Sequence, residues 1–321
     1  MFFYEPLSAT AIVSVLLYLV FLIGMNELSR LNKWVGAVIF IALPLVLTIF
    51  VWPHTAVEGT GAGTWFQWVK TYSCLAGAIL GWLIVYFPLF QKKYIVCIPP
   101  IIFAINILEA CIRDFQLTGV NGIVDGYMVV GGPWNVMNGV AGILNAICIC
   151  GFFGIIVSRG KKKDYVWPDQ LWFWIIGYDL WNFAYTYNCI SDHSAYCGLA
   201  LLLAPTFANA LWNKGGWIQN RANTLALWCM FAQVFPLFQD ASVFTTIPVL
   251  YADGFMDAAV RPSAADPTMQ GVVAILALAA NVIVLAVIIK RSLAQKKNPY
   301  TGEIFTDTRD FRLAMARAEG K

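Results

Sequence analysis

The sequence predicts an all-α fold, a polytopic transmembrane helix bundle of about nine spans with its N-terminus outside and its C-terminus in the cytosol. Three observations carry that expectation. The chain of 321 residues is 60% hydrophobic and 12% charged, against about 25% charged in soluble domains, and its mean hydropathy is +0.68. Its apolar stretches repeatedly reach the roughly 20 residues that a helix needs to cross a bilayer. Lysine and arginine gather in alternate loops, as they do where positive charge is retained in the cytosol.

In chain order the spans are Thr10–Met25, Trp34–Trp52, Val69–Phe90, Tyr94–Phe115, Trp134–Val157, Gln170–Ile190, Ala195–Trp212, Asn223–Gln239 and Gln270–Ile289. Arg30 and Lys33 follow the first, Lys92 and Lys93 the third, and Arg159 with the lysines at 161–163 the fifth. Lys214 and Arg221 follow the seventh, and Arg291, Lys296 and Lys297 the ninth. The intervening loops are poor in both residues, so residues 1–297 read as the membrane domain and 298–321 as a cytosolic tail. Pro44, Pro99, Pro100, Pro205 and Pro236 interrupt spans, each removing a backbone hydrogen bond and bending its helix. The glycine-rich loop Gln116–Pro133 suggests a re-entrant or lid segment. Asp307–Glu319 suggests a short amphipathic helix, lying on the membrane surface or frayed.

Polar residues inside the spans are the candidate site. A charged side chain at mid-bilayer costs roughly 2.5–3.5 kcal/mol on insertion scales, so it is expected to face protein or water. On the fourth span Asn106, Glu109, Arg113 and Gln116 fall within an arc of about 80°, and Glu109 with Arg113 can pair at i,i+4. The sixth span sets Tyr178, Asp179, Asn182 and Tyr185 on one side, with Asp179 near the bilayer centre. The fifth supplies Asn135 and Asn138, the eighth Gln233 and Asp240, and the third opens on Lys70. The loop-derived orientation puts most of these groups in the outer half. The expectation is an outward-opening polar pocket with its floor at Asp179 and its wall at Glu109–Arg113. The structural alternatives are a buried ion pair that fixes packing, asparagines that join helices, and a lysine that snorkels to the interface.

Eight cysteines are too few for a disulfide scaffold. Cys189, Asp192, His193 and Cys197 cluster on the expected outer face, where a Cys189–Cys197 disulfide is the simplest reading. With two histidines in the chain no metal site is expected, and no cofactor motif is present. The net charge of +3, with no basic arm, argues against nucleic acid. The expected partners are membrane lipids and a small polar or anionic solute.

Asn26-Glu27…Arg30…Lys33-Trp34, then Pro44…Thr48-Ile49-Phe50-Val51-Trp52-Pro53, then Thr64-Trp65-Phe66…Trp68-Val69-Lys70…Tyr72-Ser73 resembles an uncharacterised bacterial family of multi-pass membrane proteins, a domain of unknown function. The resemblance is clear over about the first 90 residues. It implies a bacterial cytoplasmic (inner) membrane and supplies no activity. Function therefore has to come from the polar residues. The leading expectation is a small-solute transporter or permease. In it Arg113 and Lys70 hold an anionic or zwitterionic group, Asn135, Asn138, Asn182 and Tyr185 add hydrogen bonds, and Asp179 or Glu109 carries a coupling proton. The rival classes are an intramembrane enzyme acting on a lipid or head group, with Glu109 or Asp179 as general base, and a ligand-sensing receptor or accessory subunit.

Overall fold

A computed structural model describes residues 8–58, 60–124, 127–160, 163–238, 242–246, 250–252 and 262–320. The architecture is mostly helical. In order come α1 (Ala9–Ser29), α2 (Lys33–Ala37), α3 (Leu43–Phe50), α4 (Trp52–Thr55), α5 (Trp65–Tyr86), α6 (Lys93–Val96) and α7 (Ile98–Leu117). There follow α8 (Pro133–Ile147), α9 (Trp172–Cys189), α10 (Leu201–Leu211), α11 (Trp217–Val234), α12 (Pro267–Gln295) and α13 (Arg309–Glu319). Two π-helical turns, Val38–Ala42 and Ser194–Ala200, run directly into α3 and α10.

Helix starts follow capping chemistry. The side chains of Ser8, Thr64 and Asp266 accept from the amides of Ala11, Gln67 and Thr268, supplying partners that the first turns of α1, α5 and α12 lack. Among the described residues six helical segments are long and apolar enough to cross a membrane: Ala9–Ser29, Lys33–Phe50, Gln67–Tyr86, Lys93–Leu117, Ser191–Leu211 and Pro267–Gln295. The fifth, sixth and eighth predicted spans become α8, α9 and α11, which are not among those six. α8 has 15 residues; α9 and α11 carry Asp179, Asn182, Asn188, Asn220, Arg221 and Gln233. These polar helices lie inside, where α12 packs on α8 and α9, α7 on α8, and α1, α5 and α10 on α11. Outer helices bury apolar surface on one side only and leave residues such as Leu17, Val20, Ile105 and Ile283 exposed.

Three predicted features differ. The fifth span was expected to run to Val157, but α8 stops at Ile147. Gly151 turns the chain at φ +60°, and its amide donates to the Pro299 carbonyl at 2.9 Å instead of continuing a helix. The Gln116–Pro133 loop contains an antiparallel hairpin, β1 (Asn121–Val124) with β2 (Tyr127–Val130), with Asn121 opposite Val130. The C-terminal tail is docked: Phe311, Ala314 and Ala318 of α13 are buried, the last two against Val166 of a second hairpin, β3 (Ile156–Val157) with β4 (Tyr165–Val166). A third ribbon pairs β5 (Leu250–Tyr251) with β6 (Ser263–Ala264).

The tail is also held by charge. Asp164, 1% exposed, accepts two hydrogen bonds from Arg30, Nε to Oδ1 at 2.7 Å and Nη2 to Oδ2 at 2.8 Å, and a third from Arg317 of α13. Glu27 pairs with Arg30 and accepts from Trp212 Nε1. One carboxylate thus ties the end of α1 to the β3–β4 hairpin and to α13. Nearby Asp169 is buried, with the backbone amides of Ile304 and Phe305 as its polar neighbours. Burial, then Glu303, pushes its pKa up to about 7, with the amides of Phe305 and Ile304 and the charge of Lys297 opposing.

Candidate functional site

The interior polar residues form separate groups rather than one pocket. Nearest the β1–β2 hairpin, fully buried Asp114 of α7 receives Asn135 Nδ2 at 3.2 Å and Asn138 Nδ2 at 2.7 Å. The Cys189 thiol donates to the same carboxylate at 3.4 Å. Asn135 also accepts from the Gly132 amide at 3.1 Å, capping α8. The helices approach closely because α8 carries Gly142, where a methyl group would overlap Cys111 of α7 and Trp181 of α9. Deeper, Asn145 donates to Asn281 at 2.8 Å, and Asn281 donates to the Gly177 carbonyl at 2.9 Å, joining α8, α12 and α9.

The third group lies among α5, α9, α10 and α11. Thr206 donates to Asp179 Oδ2 at 2.7 Å, and Trp217 Nε1 donates to Thr206 at 3.1 Å. Arg221, 6% exposed, donates from Nε to the Tyr178 hydroxyl at 3.4 Å, its guanidinium 5.9 Å from that ring. Arg221 enters no ion pair among the described residues; its Nη1, like Asp179 Oδ1, is buried without a hydrogen-bond partner. Lys70 Nζ sits 5.0 Å above the Trp228 ring, and its nearest electrostatic neighbours are the thiols of Cys197, Cys229 and Cys74, then Arg221. Two buried-side cations therefore face aromatic rings, thiols and one carboxylate across the helix interface. Cys197 comes from the π-helical turn before α10, a local widening often found at functional positions.

This placement sorts the predicted residues. Lys70, Tyr178 and Asp179 come together; Asn135 and Asn138 join instead at Asp114, with half-buried Arg113 and Tyr185 close by. Asn106 and Glu109 are exposed on the outer face of α7, as is Gln116. Glu109 enters no ion pair among the described residues, so the expected Glu109–Arg113 wall does not form. The buried face of α7 is Ile107, Cys111 and Asp114, about 150° away around the helix. Asn182 is half-buried on α9. Gln233 is fully buried, with both side-chain polar atoms unpartnered and its carbonyl accepting from Thr55 at 2.7 Å. Asp240 lies outside the described residues. The Cys189–Cys197 disulfide is corrected too: both cysteines are free, one turned to Asp114 and the other toward Lys70 and Arg221.

Comparison with known proteins agrees with the resemblance and extends it. The chain belongs to DUF5692, a family of unknown function. The match covers residues 5–317, far beyond the first 90, so the docked tail helix is part of what defines this DUF5692 chain. No curated protein and no solved structure matches it.

Two residues of these groups escaped sequence reading. Asp114 was passed over because its neighbours Glu109 and Arg113 suggested a stripe. Arg221 was counted as a cytosolic loop charge, although α11 begins before it, at Trp217. The signal available was the run Gln219-Asn220-Arg221-Ala222-Asn223-Thr224, too polar for a lipid-facing helix and therefore suited to an enclosed one.

Proposed function

We propose that this chain is a multi-pass carrier of a bacterial cytoplasmic membrane, crossing nine times with its N-terminus outside, and that it moves a small anionic or zwitterionic solute. The observation that carries the reading is Arg221: a buried guanidinium that enters no ion pair among the described residues, with Asp179, which accepts from Thr206, as a carboxylate nearby. Unpaired charge in a membrane interior is expensive and marks ion or substrate paths. Lys70, half-buried on the neighbouring helix, adds a second cation. An anion bound between them offsets both, with Tyr178 donating a hydrogen bond.

Asp179 supplies the coupling step. Ionised, it competes with the solute for Arg221; protonated, it releases the guanidinium to bind. Loading of anion and of proton are thereby linked, which is the requirement for symport. The α7 stripe has no part in this scheme, and the Asp114 group fixes α7, α8 and α9 to one another.

The test is uptake into proteoliposomes of a panel of small carboxylates and phosphates under an imposed proton gradient. Asp179→Asn removes gradient-driven uptake while solute exchange without a gradient persists, and Arg221→Gln removes both. Gradient-driven uptake unchanged in Asp179→Asn overturns the proton role. Uptake unchanged in Arg221→Gln overturns the site.

A further inference from the structure

Val13, Leu17, Tyr18 and Phe21 of α1, Phe231 near the end of α11 and Phe238 just beyond it border an open groove of about 630 Å³. That volume is in the range of ligand pockets, roughly 300–1,000 Å³, and its walls are almost wholly apolar. Behind it a recess of about 10 Å³ shares Tyr18, Phe231 and Phe238 with the groove and ends on Trp228. Trp228 is the residue whose ring carries the Lys70 ammonium. Groove and recess thus share three aromatic walls, and the ring that closes the recess is the one the Lys70 ammonium rests on.

The second observation is Tyr18. It is 5% exposed, it lines both the groove and the recess, and its hydroxyl has no hydrogen-bond partner. Apolar packing alone does not select a tyrosine there, because a buried phenol without a partner costs roughly 1–3 kcal/mol. The neighbouring Tyr196 shows the ordinary solution: its hydroxyl lies 2.9 Å from Ser14 Oγ and donates to the Phe244 carbonyl at 2.7 Å.

We infer that this groove is a lateral entrance from the bilayer to the Lys70–Arg221 site, and that the anion it admits is a single-chain amphiphile, a long-chain carboxylate. The inference rests on the anion-carrier reading and specifies its substrate class. The alkyl chain lies along Val13, Leu17 and Phe21 of α1 against Phe231 and Phe238. The carboxylate passes Tyr18, which donates to it, and reaches Lys70 at Trp228. One phenol and one ammonium match the two oxygens of a monovalent head. The occupant arrives from lipid because the groove wall is α1, whose Ile12, Leu16, Leu17 and Val20 form a lipid-facing surface.

The experiment uses the full-length protein in nanodiscs and a long-chain fatty acid carrying a diazirine in its alkyl chain. Expected are adducts on α1 and α11 residues of the groove, reduced roughly tenfold by unlabelled fatty acid, a change equivalent to about 1.4 kcal/mol of binding. Val13→Trp, which fills the groove from the lipid side, and Thr10→Phe at its rim give the same reduction without touching the core. Lys70→Gln weakens competition by the carboxylate but leaves competition by the matching long-chain alcohol as it was. Adducts spread evenly over α7 and α12, or labelling insensitive to both groove variants, overturn the entrance. Equal competition by a diacyl phospholipid overturns the single-chain assignment. If short carboxylates are transported in an Arg221-dependent way while groove labelling fails, this inference falls and the carrier reading stands. Saturable groove labelling with no anion movement does the reverse.

Discussion

At the scale of single residues, three buried aspartates show how one side-chain type is put to different uses by what faces it. Asp164 lies between two arginines and accepts charge-assisted hydrogen bonds from both. Removing one partner of a buried pair typically costs about 3–5 kcal/mol. Asp164→Ala, which leaves Arg30 with Glu27 as its one acidic partner among the described residues and Arg317 with none, is expected to lower stability by that order in detergent, read from tryptophan fluorescence on heating; an unchanged melting point would show the pair to be dispensable. Asp169 has the opposite setting, buried beside Glu303 with no arginine on it among the described residues, and its pKa is raised to about 7. Its unfolded value is near 3.9, so between those two values the folded chain keeps a proton that the unfolded chain has lost. Stability contributed by this group is therefore present below about pH 4 and is lost as pH rises toward 7. Asp169→Asn flattens the melting profile across that window and is at least as stable as the parent at pH 8, whereas a profile as steep as the parent's would assign the pH dependence to another group. Asp114, with two asparagines and a thiol on its oxygens, is the satisfied case. Its cluster also predicts that Cys189 is a thiol: denatured, unreduced protein should react with eight equivalents of alkylating reagent, and six would restore the Cys189–Cys197 bridge.

At the scale of elements, the apolar outer helices were legible because a membrane imposes a length and a composition that few other contexts produce. α1, the α2–α3 pair, α5, α7 and α12 all appear close to the expected positions. The direction in which each helix faces was less legible. On α7 the charged stripe Asn106–Glu109–Gln116 was expected to turn inward because lipid penalises charge, yet Ile107, Cys111 and Asp114 turn inward instead. Small and medium residues there let α7 approach Gly139 and Gly142 of α8, and close packing over a whole helix outweighs the cost of individual polar groups. The tail helix was visible as an amphipathic pattern, but its partner was not: α13 covers a hairpin formed some 150 residues earlier, a juxtaposition that sequence periodicity does not encode. Lys70, Tyr178 and Asp179 were found because intramembrane polarity is rare enough to notice one residue at a time. Arg221 was missed because, at the end of a span, a cytosolic loop charge and an interior cation read alike.

At the scale of the whole molecule, six segments meet a length-and-hydropathy standard, and an even number of crossings places both termini on one side. α8, α9 and α11 decide the parity. With 15, 18 and 18 residues they are about 22–27 Å long at 1.5 Å per residue, close to the roughly 30 Å of a hydrocarbon core. Their polar faces are buried among α1, α5, α7, α10 and α12 rather than presented to lipid, which removes the reason to exclude them from the membrane. On the nine-span proposal these three crossings put the termini on opposite faces, with the Arg30–Asp164–Arg317 junction on the lysine-rich side. Ser8→Cys and Lys296→Cys, introduced singly, test this with a membrane-impermeant maleimide. The native cysteines are buried, apart from half-buried Cys74, so background labelling of folded protein is low. Ser8→Cys is expected to label from outside intact cells and Lys296→Cys after the membrane is opened. Labelling of both from the same side would establish an even count and overturn the nine-crossing proposal.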